Sequence, residues 1–190
     1  MAKNNLTLQI YKDSRTVFTM KEIASLLGEL NYQSLKQKIN YYVRKGVIIN
    51  IRRGIYAKEK YNPEELACKL YTPSYISLDY VLRKEGVIFQ YSEAITSVSY
   101  LARSLEVDSN NLEYRKAKNA ILLDVRGINQ QIDGINIASP ERALLDILYL
   151  NKTFYFDNLN PIKRAKIETL LPIYQSERLN RTVNQMYSNT

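Results

Sequence analysis

"TMKEIASLLGELNYQSLKQKINYYVRKGVIINIRRGIYA", residues 19–57, decides how the rest of the chain is read. Thr19 stands just before an apolar stripe of Ile23, Leu26 and Leu27, and Glu22 follows it by three residues. That spacing is a capping box, in which each side chain satisfies a backbone N–H that the first helical turn leaves without a partner. It predicts a helix from Met20, ended by Gly28. Leu35, Ile39, Tyr42 and Val43 then recur at helical spacing and predict a second helix over Tyr32–Lys45, with Gly46 as its stop. Two short helices joined by a glycine-containing turn form a helix-turn-helix pattern. The runs Val47–Ile51 and Ile55–Ala57, on either side of Arg52-Arg53-Gly54, predict a hairpin directly after it.

With the apolar stripe of the second helix buried, Gln33, Lys36, Gln37, Asn40 and Arg44 fall on its opposite face. Asn and Gln pair bidentately with adenine, Lys and Arg reach guanine, and a helix fits the major groove. A polar face is also the ordinary solvated side of an amphipathic helix. Its place after a capped helix and before a basic hairpin turns the reading towards a winged helix-turn-helix, with the hairpin as the wing. Arg52 and Arg53 then carry charge to a narrow, negative groove, and Gly54 gives the turn its backbone freedom. Lys58 and Lys60 extend the positive stripe. Thr19, Lys21, Lys38 and Lys45 are expected to hold register against phosphate, and Ser34, at the entry of the second helix, is counted with the DNA-binding group. In the first twelve residues Leu6, Leu8 and Ile10 alternate as in a strand, while Leu6, Ile10 and Tyr11 also suit a helix; the helix is preferred, because a winged helix needs one to close its core.

Charge supports the same division. Residues 1–60 hold 12 Lys/Arg against 4 Asp/Glu, whereas residues 61–190 hold 15 of each, so the whole excess of +8 lies in the first third. That is the footprint of a polyanion-binding module joined to a neutral domain. The expected domains are therefore 1–60, a winged helix-turn-helix, and 61–190, a mixed α/β domain, giving an α+β fold. At 190 residues the chain can bury a sizeable core. No apolar run is long enough to span a bilayer and no export leader is seen at the amino end, so no membrane association and a cytoplasmic location are expected. With Cys68 as the single cysteine and no histidine, Cys/His zinc sites, internal disulfides and histidine-based catalysis fall away. Neither a metal nor a cofactor is expected.

Beyond Tyr61, Asn62-Pro63-Glu64-Glu65 opens a short helix. Ser77 is placed to cap a helix running to Lys84 and closed by Gly86. Strands are expected at Ala94–Tyr100, around Leu112-Glu113-Tyr114, and over Ala120–Val125. Ser139-Pro140-Glu141-Arg142 is a helix start with cap, N1 proline and first-turn acid. Two helices follow, over Pro161–Leu171 and Ser176–Tyr187.

The stretches "YTPSYISLDYVLRKEGVI" (71–88), "AITSV" (94–98), "LEYRKAK" (112–118) and "INIASPERALLDILYL" (135–150) carry a resemblance. The chain resembles the AbiEi-type antitoxins of type IV toxin-antitoxin systems, abortive-infection transcriptional regulators whose N-terminal winged helix-turn-helix precedes an antitoxin domain. Where many relatives have His-Gly, this chain has Glu85-Gly86. The resemblance implies a repressor that binds inverted repeats in its own promoter, with two copies binding cooperatively. It also implies a second domain that counteracts a nucleotidyltransferase-like toxin, with Ser139, Pro140, Glu141, Arg142 and Asp146 as that domain's motif. The same motif reads equally as a capped helix packed on a sheet.

Two other readings stand beside this one. An enzyme would need clustered carboxylates, and Asp124, Asp133, Glu141 and Asp146 follow no metal-ligand spacing, so none is expected. A winged-helix regulator whose C-terminal domain binds a ligand or a protein partner is the alternative.

Overall fold

In the computed structural model, which describes residues 6–151 and 153–188, the chain divides into two units. The first runs through Leu70 and takes in Ile132–Gly134, and the second holds the remainder. The structure is mixed α+β.

The first unit is built from α1 (Leu6–Lys12), β1 (Val17–Thr19), α2 (Met20–Leu27), α3 (Tyr32–Arg44), β2 (Ile49–Arg52), β3 (Ile55–Ala57) and α4 (Pro63–Leu70). α1 forms as expected, because Leu6 and Ile10, one helical turn apart, are both buried. They join Phe18, Ile23, Leu27, Leu35, Ile39, Ile48 and Tyr56 in one core. Each such aliphatic side chain contributes about 1.5–3 kcal/mol when fully buried. β3 lies between β1 and β2 in a three-stranded antiparallel sheet. The strand β1 was not expected from sequence. Its start is fixed by the buried Glu65 carboxylate of α4, which accepts from the N–H groups of Thr16 at 2.7 Å and Val17 at 2.8 Å. Lys69 of α4 also pairs with Glu22 of α2 at 2.5 Å. α4 thus belongs to the first unit, which reaches past the division expected after residue 60.

The second unit carries a six-stranded mixed sheet in the order β6-β7-β5-β4-β9-β8. Its strands are β4 (Ser74–Ile76), β5 (Ile95–Ser99), β6 (Arg103–Val107), β7 (Asn110–Lys116), β8 (Ile128–Gln130) and β9 (Asn136–Ala138). β5 pairs with β7, and β4 with β9, in parallel; the other pairs are antiparallel. The helices are α5 (Leu78–Lys84), α6 (Asn119–Leu122), α7 (Pro140–Leu150), α8 (Arg164–Leu170) and α9 (Glu177–Ser188), with a 3-10 turn at Leu171–Tyr174. α5 packs on β5 and on α7, and α7 meets α8 and α9.

Two expectations are corrected here. Ala120–Val125 is not a strand. Ile121 and Leu122 both donate backbone N–H to the Lys118 carbonyl, making the single turn α6, and the loop after it is held from inside by Arg142. Ser77 sits at the N-cap of α5 but makes no side-chain cap, because its hydroxyl donates to Asp146 at 2.7 Å.

Candidate nucleic-acid interface

α2 begins as its sequence dictates. Thr19 Oγ1 accepts from the Glu22 N–H at 3.3 Å, and the Glu22 carboxylate accepts from the Thr19 N–H at 2.7 Å and from its hydroxyl at 2.9 Å. Glu22 further pairs with Arg15 at 3.0 Å as well as with Lys69. Burial works against its charge, but Lys69 and the Thr19 donors outweigh burial and hold the carboxyl below its usual value. α2 ends at Gly28, in the left-handed region at φ 61°, with its N–H given to the Ser25 carbonyl.

The turn into α3 is organised by a residue the sequence reading passed over. The Glu29 carboxylate accepts from the Asn31 N–H at 3.0 Å, the Ser34 hydroxyl at 2.7 Å and Lys38 Nζ at 2.5 Å. Lys38 first, then Ser34 and Asn31, pull this carboxyl down to about 2. Asn31 caps α3 by accepting from the Ser34 N–H at 3.0 Å. An Asn three residues before a Ser at a helix entry was the available signal for this cap.

α3 buries Leu35 and Ile39. Gln33, Lys36, Gln37, Asn40 and Arg44 are all exposed, so the side chains expected to share a face do so. Arg44 Nε reaches back to the Asn40 carbonyl at 3.3 Å. Lys45 is exposed and sets its ammonium 5.8 Å from the centre of the Tyr41 ring. Lys21 is exposed on α2. Three members of the expected set already have intramolecular work: the Thr19 hydroxyl closes the cap, and the Ser34 hydroxyl and Lys38 are held by Glu29.

The hairpin forms, with its first strand at Ile49–Arg52 rather than Val47–Ile51, so that Arg52 lies in the strand and not in the turn. Arg52 pairs with Ile55 across the turn, a bulge lies between Asn50 and Arg52, and Gly54 takes φ +82°, which favours glycine. Arg52 and Arg53 are exposed at its tip. The Gly54 carbonyl accepts the Met20 N–H at 3.2 Å, which ties the tip to the first residue of α2. The Thr19 cap and this bond thus hold the start of α2 and the hairpin tip together.

The charged residues of the second unit's motif are interior. Ser139 caps α7 by accepting from the Arg142 N–H at 3.2 Å, and Pro140 takes the first helical position. Glu141, Arg142 and Asp146 are fully or almost fully buried. The guanidinium of Arg142 lies 5.3 and 5.4 Å from the ring centres of Tyr75 and Tyr174 and donates to the carbonyls of Ile121 at 2.7 Å and Arg126 at 3.0 Å. Asp146 accepts hydroxyl hydrogens from Tyr174 at 2.6 Å, Ser77 at 2.7 Å and Tyr75 at 3.1 Å. Burial pushes its carboxyl up, while Arg142 and these three hydroxyls pull against that shift. Glu141 accepts from the Lys163 N–H at 3.3 Å. Asp124 is paired with Arg126 at 2.5 Å. Among the described residues no group of three or more Cys, Asp or Glu is placed to hold a metal ion, and no helix is long and apolar enough to cross a membrane. Compared with known proteins, the chain matches no family model and none of the curated proteins.

Proposed function

We propose that the first unit is a winged helix-turn-helix that binds double-stranded DNA, with α3 as the reading helix and the β2–β3 hairpin as the wing. The observation that carries this is the division of α3. Its apolar side holds the core through Leu35 and Ile39, while Gln33, Lys36, Gln37, Asn40 and Arg44 are exposed together. An ordinary solvated helix face would be rich in Glu and Lys pairs. This one carries no carboxylate from Tyr32 to Arg44, and amide side chains are the adenine-reading type. Arg52 and Arg53 add exposed charge at the hairpin tip, with no carboxylate paired to either among the described residues, suited to phosphate or the minor groove.

On this reading the protein is a cytoplasmic transcriptional repressor, not an enzyme, and the resemblance to AbiEi-type antitoxins extends the proposal. It would repress its own operon through inverted repeats and counteract a nucleotidyltransferase-like toxin. Within the second unit, Ser139 and Pro140 start α7 and Glu141, Arg142 and Asp146 are buried, so on this reading the motif would act as a structural frame for that activity. Fluorescence anisotropy with duplexes from the chain's own upstream region tests the first part. Saturable binding that survives excess random duplex is expected; equal affinity for both would defeat it. Co-expression of the full chain with the product of the adjacent gene tests the second, with restored growth expected. A DNA-binding chain that fails to restore growth would leave a regulator without antitoxin activity.

A further inference from the structure

Away from the α3 polar face, the first unit contains a cleft of about 480 Å³ between α1, the end of α3 and the segment after β3. Ile10, Val47 and Tyr11 give it an apolar lining, and Lys45, Lys58 and Lys60 give it charge against the Glu59 carboxylate of the lining, with the Asp13 carboxylate also acting on Lys58. Tyr11 is 82 % exposed, a large ring surface left in water. Lys58 is held in place, since its ammonium donates to the Asp13 carbonyl at 2.7 Å. No carboxylate among the described residues pairs with Lys45 or Lys60.

The end of a helix is its negative pole and would ordinarily repel an anion. Here that pole is closed by protein donors. The N–H groups of Lys45, Gly46 and Val47 donate to the carbonyls of Tyr41, Val43 and Tyr42, each at 3.0 Å. The ammoniums therefore set the sign of the cleft. Gly46, at φ +69°, has no atom within 4 Å of where a Cβ would stand, so space lies open there.

We propose that this cleft binds a small aromatic anion, its ring against Tyr11 and Val47 and its charge on Lys45, Lys58 and Lys60. The volume lies in the range of small-molecule sites, which combine apolar walls with a few charged groups. A bare inorganic anion would leave the apolar walls unused. An uncharged ring would leave the ammoniums of Lys45 and Lys60 without a counter-charge. A planar ring with a carboxylate or phosphate satisfies both halves.

The test uses the full chain without DNA and follows amide NMR signals during titration with benzoate, AMP and inorganic phosphate. Benzoate and AMP separate a carboxylate from a phosphate as the anionic group. Saturable shifts at Tyr11, Gly46 and Lys60 are expected with at least one of them, at an affinity at least tenfold above that of phosphate. Lys60→Gln and Tyr11→Ala, both at exposed positions, should each weaken that binding threefold or more, with unchanged thermal melting showing that the fold survives. The proposal is overturned if neither aromatic anion shifts these signals, if phosphate binds as tightly, or if the two variants bind like the parent.

Discussion

The Tyr174 hydroxyl donates to the Asp146 carboxylate over 2.6 Å, and the same carboxylate faces the buried guanidinium of Arg142 at 3.5 Å. Arg142 is fully buried and Asp146 is 1 % exposed, so neither charge has water to fall back on. Removing one partner of such a pair is strongly destabilising, because the other charge stays buried without compensation. Asp146→Asn is expected to lower stability by about 3–5 kcal/mol in urea denaturation. Replacing both, with Arg142→Met and Asp146→Leu, should leave a more stable chain than the single change does. A single variant within 1 kcal/mol of the parent would show that the pair is not the anchor it looks like.

On α3, Gln37→Ala and Asn40→Ala remove amides that face solvent, so stability should hardly change. Affinity for the preferred duplex should fall by about 1–3 kcal/mol, with relaxed sequence preference. Replacing Arg52 and Arg53 by alanine should instead weaken binding to every duplex and flatten its salt dependence. Anisotropy at several salt concentrations separates the two classes. Equal losses on specific and random DNA for the α3 variants would count against base reading.

Glu29 gives a pH prediction. Its carboxyl lies at about 2 in the folded chain, below its ordinary value of 4.5. A carboxyl lowered on folding adds stability that is present above its ordinary value and is lost as pH falls through its folded value. The contribution should therefore fade between pH 4.5 and about 2. NMR titration should find the Glu29 midpoint near that lower end, and Lys38→Ala should move it upwards, since Lys38 is the chief cause of the shift. A midpoint unchanged by that substitution would contradict the ion pair.

Two glycines should respond differently to alanine. Gly54 and Gly127 both have positive φ, at +82° and +72°. A Cβ on Gly54 meets nothing within 4 Å, so Gly54→Ala carries backbone strain alone, about 1–2 kcal/mol. On Gly127 it would stand 3.0 Å from Leu170 Cδ1 and 3.1 Å from Arg142 Cβ. Crowding of that kind adds about 1–3 kcal/mol. Thermal unfolding should rank Gly127→Ala as clearly the worse; a reversed order would mean that the loop around Gly127 yields freely.

The helices of the first unit were legible because their signals are local. Thr19 and Glu22 lie three residues apart, Leu35 and Ile39 four, and Gly28 and Gly46 fall where the chain must leave the helix. β1, β4, β8 and β9 are three-residue strands too short to show alternation; β3, as short, was legible only through the Arg52-Arg53-Gly54 turn, and the mostly exposed edge strand β6 was also missed. Ser77 and Ala120–Val125 were misread for another reason. The partner of the Ser77 hydroxyl is 69 residues away, and the Arg142 contacts that hold the Ile121 and Arg126 carbonyls span 21 and 16 residues. No spacing rule reaches that far. In the candidate site the exposed amides were legible from periodicity, whereas Glu29, which gathers three donors in the turn, lacked a pattern of its own.

The bond from Met20 to Gly54 has a kinetic corollary. By joining the hairpin tip to the start of α2, it tethers the backbone beside Arg52 and Arg53 to the residue that follows the Thr19 cap. If the first unit binds DNA as proposed, a tethered tip would have less backbone freedom to lose, leaving mainly the side-chain cost of about 0.5–1.5 kcal/mol for each long side chain. On that proposal, a duplex that suits the tethered tip would be held longer, and selection between duplexes would fall on dissociation rates more than on association.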